Sequence, residues 1–113
     1  VALSIGRAGV LTTVQDLGRH GYQRHGVPVA GAMDAYALRV ANAIVGNAPG
    51  EAGLELTLEG PAIELEEDTL VAISGADLGA HVGNTPVPML RPVWIAAGAR
   101  LEFGAARLGS RGY

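Results

Sequence analysis

The chain contains no cysteine, which excludes a disulfide framework, a thiol nucleophile and any cysteine-ligated metal. Lysine is also absent. All eight basic residues are arginine, so neither a Schiff-base lysine nor a Walker-type phosphate lysine can come from this chain. The cation that remains is the guanidinium, whose fork suits carboxylates. No G-x-G occurs, which removes the dinucleotide fingerprint and the kinase-type glycine loop. There is no signal-peptide pattern and no apolar run of membrane length, so a cytoplasmic location without a membrane partner is expected. The net charge of −3 argues against a nucleic-acid partner, since phosphate binding calls for a basic face. Aromatics make up only 4%, so the core must be mostly aliphatic.

Against these absences, 49% of the 113 residues are hydrophobic, enough for one domain spanning 1–113 with a modest core. Seventeen glycines and six prolines are spread along the chain and predict many turns between short strands. Strands are expected at 2–5 and 10–14, around the turn Gly6-Arg-Ala-Gly9. Residues 34–45 read as the one convincing helix: Ala37, Leu38, Ala41, Ile44 and Val45 keep helical spacing, Asp34 can cap the start and Gly46 the end. After Gly53 the pattern alternates, with Leu54, Leu56 and Leu58 on one face and Glu55, Thr57 and Glu59 on the other. Gly60-Pro61 breaks the run, and Ile63 and Leu65 resume it. Further strands are expected at 69–74, 79–82, 86–89, 92–96 and 99–103, with Gly83-Asn84 as a hairpin turn. Short strands at this frequency predict a mainly β domain, a barrel or sandwich, with one helix.

The chemistry concentrates where the second strand ends. Gln15, Asp16 and Arg19 follow Val14 directly, and Gly21, Gly26, Pro28 and Gly31 shape the path to Asp34. Arg19 could hold a substrate carboxylate, Gln15 could bond an amide, and Asp16 could orient a water or accept a proton. Alternatively, Asp16 and Arg19 pin the loop through its backbone. Asp34 is a helix cap that could also meet a ligand. Asn42, a poor helix former in mid-helix, is either a substrate contact or a tie to a neighbouring loop. Glu55 is explained by exposed alternation; if its face lines a barrel mouth, it becomes a base or a partner for Arg19. Asp77, after Val71-Ala-Ile-Ser-Gly-Ala, is either a site carboxylate or an Asx turn. Ser74 does not sit in a G-x-S-x-G elbow, so a serine-hydrolase reading is rejected. His20, His25 and His81 lack metal-ligand spacing, and no metal is expected.

Several blocks carry a family resemblance: Leu11-Thr-Thr-Val-Gln-Asp-Leu-Gly-Arg19, Gly26-Val-Pro, Gly31-Ala-Met-Asp34, Ala41-Asn, Val45-Gly-Asn47, Leu54-Glu-Leu-Thr-Leu58, Gly60-Pro61 and Gly75-Ala-Asp77. They run in family order over most of the chain, which resembles the N-terminal portion of the allophanate hydrolase subunit 2 family. That family includes the C subunit of ATP-dependent 5-oxoprolinase, with related domains in urea carboxylases and in KipA-type regulators. The resemblance implies a cyclophilin-like β-barrel, part of a longer two-lobed polypeptide. It implies a non-autonomous subunit of an ATP-dependent amidohydrolase, most directly 5-oxoprolinase (5-oxoproline to glutamate) or a related allophanate or urea-utilising enzyme. The hydrolase would be active only with a subunit 1/KipI-like partner and a third lactam-utilisation subunit, ATP binding in whichever of them carries its site. The alternative is a KipA-like non-catalytic module that binds a KipI-like protein. Either way the candidate ligand contacts are Gln15, Asp16, Arg19, Asp34, Asn42, Glu55 and Asp77. No residue is assigned to catalysis.

Overall fold

The computed structural model describes residues 3–7, 11–18, 31–57, 60–105 and 108–113. Arg19, His20, His25, Leu58 and Glu59 lie outside the described residues. Among the described residues, eleven strands and one helix follow in the order β1 (Leu3–Arg7), β2 (Leu11–Gln15), α1 (Ala35–Val45), β3 (Gly53–Thr57), β4 (Ala62–Leu65), β5 (Thr69–Val71), β6 (Gly75–Asp77), β7 (His81–Val82), β8 (Thr85–Pro86), β9 (Val93–Ile95), β10 (Arg100–Glu102) and β11 (Leu108–Gly112). The domain is mainly β with one helix, as expected.

The strands form an antiparallel five-stranded sheet ordered β1-β4-β10-β7-β8, a four-stranded sheet ordered β2-β3-β11-β6, and the pair β5-β9. The sheets stay open among the described residues, with β2 and β6 at the edges of the four-stranded sheet. Val82 pairs with Thr85 across Gly83-Asn84, so the anticipated two-residue hairpin forms, with Gly83 at φ 59. β6 and β11 are additions to the expected strands.

α1 starts and stops for the anticipated reasons. The Asp34 carboxylate accepts the Ala37 N–H at 3.0 Å, and Gly46 closes the helix at φ 81, donating to the Ala43 carbonyl. No helix among the described residues is long and apolar enough to cross a membrane.

The main core gathers aliphatic residues from both larger sheets, including Leu56, Ile63, Leu65, Leu78 and Leu101 around Phe103. Leu56 is buried and Leu54 packs against the same cluster, so the leucine face of β3 points inward. A smaller cluster of Ala37, Leu38 and Tyr113, flanked by Leu17 and Ala32, seats the start of α1. The Ser74 hydroxyl, fully buried, donates to the Ala37 carbonyl and has a structural job there. Burying the hydroxyl with a partner avoids a desolvation loss of about 1–3 kcal/mol.

Candidate functional site

Strand parity assembles a polar face. Gly53, Glu55 and Thr57 alternate with Leu54 and Leu56 along β3, and Arg111 lies opposite Thr57 on β11. Gln15, opposite Gly53 on β2, and Tyr113, two residues beyond Arg111, share that side. The absence of a side chain at Gly53 lets the helix come close: a Cβ there would lie 2.9 Å from Leu38 Cδ1.

Glu55 is the centre of this face. It is only 5% exposed, which corrects the expectation that alternation leaves it in solvent: the start of α1 and Tyr113 cover it. Its Oε2 accepts the Met33 N–H at 2.8 Å and the Tyr113 phenol O–H at 2.6 Å. The same phenol oxygen accepts the Asp34 N–H at 2.8 Å. One side chain therefore links a buried carboxylate to the backbone ahead of α1. Burial, then the hydrogen bond donated to Glu55, pushes the Tyr113 phenol up from 10.0 to about 12, against an opposing pull from the Asp34 N–H. At neutral pH Tyr113 is thus a fixed donor.

Beyond Oε2, the cluster changes character. Arg111 Nε lies 3.9 Å from Glu55 Oε1, an ion pair too long for a hydrogen bond. Arg111 Nε and Thr57 Oγ1 are buried and have no hydrogen-bond partner among the described residues. Leaving such groups unmatched would cost about 1–3 kcal/mol each, so both call for a partner beyond the described residues.

A sequence profile described as carboxyltransferase domain, subdomain A and B, matches residues 25–113. The chain belongs to that family. Within it, the chain is 42% identical over 113 residues to a urea amidolyase of Lachancea kluyveri, covering 99% of this chain and 6% of that protein. It is 40% identical over 111 residues to the C subunit of Escherichia coli 5-oxoprolinase, covering 98% of this chain and 36% of that one. The crystal structure of Kluyveromyces lactis urea carboxylase superposes with a TM-score of 0.94 at 36% identity, over 99% of this chain and 10% of that chain. The chain therefore spans a minor part of each relative's length. The expected kinship with the 5-oxoprolinase C subunit and with urea carboxylases is met.

This carboxyltransferase-family segment draws some of the candidate residues together and leaves others apart. Glu55 and the backbone of Asp34 meet around Tyr113, with Gln15 on the same side of the sheet. Asp16, next in the chain, is occupied: its carboxylate accepts the Gly18 N–H at 2.8 Å and its carbonyl the Ala32 N–H at 2.9 Å. These bonds tie the chain leaving at Gly18 to the chain returning at Gly31, whose Cβ would meet the Gly18 nitrogen at 2.6 Å. Asn42 sits further along α1, its amide donating to the Pro49 and Glu51 carbonyls at 3.2 and 2.8 Å, a tie between helix and loop. Asp77 is on the far edge strand, closing an Asx turn onto the Gly79 N–H at 2.9 Å. His81 is held by its own surroundings, Nδ1 at 2.8 Å from the Gly79 carbonyl and Nε2 at 3.3 Å from Glu102. No group of three metal-capable side chains occurs among the described residues.

Two members of the cluster had no signal in the sequence. Tyr113 and Arg111 belong to a glycine-rich tail whose strand is visible only once β3 is placed beside it.

ATP does not fit the described residues. At the start of α1 the Asp34 carboxylate already takes the Ala37 N–H, and the chain has no lysine to hold phosphates.

Proposed function

We propose that this chain is part of a component of a multi-subunit, ATP-dependent amide-utilising enzyme, with the Glu55–Tyr113–Arg111 face as its substrate-contacting region. The observation that carries the reading is the 40% identity to the C subunit of Escherichia coli 5-oxoprolinase over 98% of this chain. The corresponding C subunit from Haemophilus influenzae is 35% identical over 101 residues and supports the same assignment. The specific reaction is opening of the 5-oxoproline lactam to glutamate, with ATP bound elsewhere in the assembly. Its partners are a subunit 1-like protein and a third lactam-utilisation subunit.

A second reading is carboxylation of urea, which the urea amidolyase identity and the urea carboxylase superposition favour. Urea and 5-oxoproline are both amides, so a site built around a buried carboxylate and a guanidinium serves either. In the KipA-like alternative the same face binds a protein and turns nothing over.

The test is co-expression of the full-length polypeptide with its subunit 1-like and third partners. ATP-dependent loss of 5-oxoproline is measured beside carboxylation of urea. Loss of 5-oxoproline that requires all components supports the first reading, and carboxylated urea supports the second. A complex that assembles and consumes neither substrate sinks both and leaves the binding module.

A further inference from the structure

The geometry points to a more specific substrate class, resting on the amide reading above: Glu55 Oε1 and Arg111 Nε together read the edge of an amide whose N–H and C=O lie on the same side. Tyr113 and Met33 hold Glu55 through Oε2 only, so Oε1 is free to accept another hydrogen bond among the described residues. Arg111 Nε offers one N–H and cannot give it to Oε1 at 3.9 Å. An acceptor on a residue only 5% exposed and a buried donor thus stand side by side, neither satisfied by the other.

The spacing suits one ligand shape. Standard bond lengths put an amide's nitrogen and oxygen roughly 2.2 Å apart, and two hydrogen bonds of about 2.9 Å span from that edge to a wider pair. The amide N–H donates to Glu55 Oε1 while the amide carbonyl accepts from Arg111 Nε. Only amides with N–H and C=O on the same side can do both. Urea, primary amides and small-ring lactams qualify; an open-chain secondary amide, whose N–H and C=O point oppositely, does not. A carboxylate offers two acceptors and meets Glu55 unfavourably. The edge therefore accepts urea and a five-membered lactam alike. Thr57, across the ladder from Arg111, adds a buried hydroxyl without a partner among the described residues.

The test uses the full-length polypeptide in complex with its partners, and small probes measured by ligand-observed NMR competition. 2-Pyrrolidinone and urea carry the same-side edge, N-methylacetamide carries the opposed one, and acetate carries two acceptors. Wild type should bind 2-pyrrolidinone and urea at least about tenfold more tightly than N-methylacetamide, because a hydrogen-bonding site left unmatched rejects the analogue. Glu55→Gln sharpens the test. Its amide oxygen keeps the bonds from Met33 and Tyr113, which turns its NH2 toward the place of Oε1. The edge then holds two donors, so the amides should weaken about tenfold or more while acetate tightens, a gain that a misfolded variant cannot produce.

Wild type that binds N-methylacetamide as well as 2-pyrrolidinone overturns the inference. So does Glu55→Gln with unchanged preference, or with amide binding lost and no gain for acetate. Component-dependent turnover of 5-oxoproline or urea alongside any of these results removes this inference and leaves the enzymatic reading standing. The expected probe preference without turnover of either substrate supports the edge and removes the enzymatic reading.

Discussion

A phenol that bonds a buried carboxylate on one side and a backbone N–H on the other makes folding sensitive to its own ionisation. Tyr113 ionises near 12 in the folded chain against 10.0 for a free tyrosine, chiefly through burial. Its raised value favours the protonated phenol in the native state. The stabilisation is therefore complete below pH 10 and lost as pH rises towards 12. Tyr113→Phe should cost about 1–3 kcal/mol at pH 7, since the Asp34 N–H loses its acceptor and Glu55 one of its two donors. It should also flatten the decline above pH 10. Urea unfolding of both proteins from pH 8 to 12 checks this, and parallel curves across the alkaline range would contradict it. The sequence could present Glu55 and Gln15 as candidates because both stand in recognisable strands. Tyr113 and Arg111 were illegible because their partners are remote: Tyr113 meets Glu55 across 58 residues and Asp34 across 79.

At the scale of elements, local signals decided what could be read. α1 was legible to within a residue because its spacing, its Asp34 cap and its Gly46 stop agree. β6 and β11 were not, because their glycines read as turns. They are close-approach positions instead: a Cβ at Gly75 would lie 2.6 Å from the Arg111 carbonyl, and one at Gly112 would lie 2.8 Å from Leu78 Cδ1. This difference is measurable. Gly46 and Gly75 share nearly the same left-handed φ, 81 and 80, but a Cβ at Gly46 meets nothing within 4 Å. Gly46→Ala should cost only the left-handed strain, about 1–2 kcal/mol. Gly75→Ala should exceed it by at least about 1 kcal/mol, because β6 and β11 must separate to admit the methyl group. Equal losses in chemical denaturation would mean that the contact relaxes freely. For α1, Asp34→Ala should remove about 1 kcal/mol as a lost cap, read in the same denaturation series.

For the whole molecule, the decisive feature is that the helix and the main core are joined by a thin seam. The principal cluster is continuous across the larger sheets, and β4 is bonded on both sides, to β1 and β10. α1 rests on the small cluster of Ala37, Leu38 and Tyr113, on the Ser74 hydroxyl, and on the Asn42 amide. Between them lies a cleft of about 200 Å³, open to solvent on one side and bordered by Leu38, Ala41 and Val45 of the helix and by Leu54, Leu70 and Val71 of the strands. Side chains lining an open cleft lack partner atoms on one side, so the seam carries less dispersion energy per residue than the core beside it. The chain should therefore open in two steps. Native-state hydrogen exchange should show α1 amides exchanging through an opening of lower free energy than the amides of β4 and β10. Leu38→Ala, which enlarges the cleft, should lower α1 protection by about 2–4 kcal/mol while moving the β4 and β10 amides much less. If α1 and β4 exchange with one common free energy, and Leu38→Ala lowers both equally, the seam is no weaker than the core. The Glu55 face would then be held by the whole fold rather than by a helix able to release it.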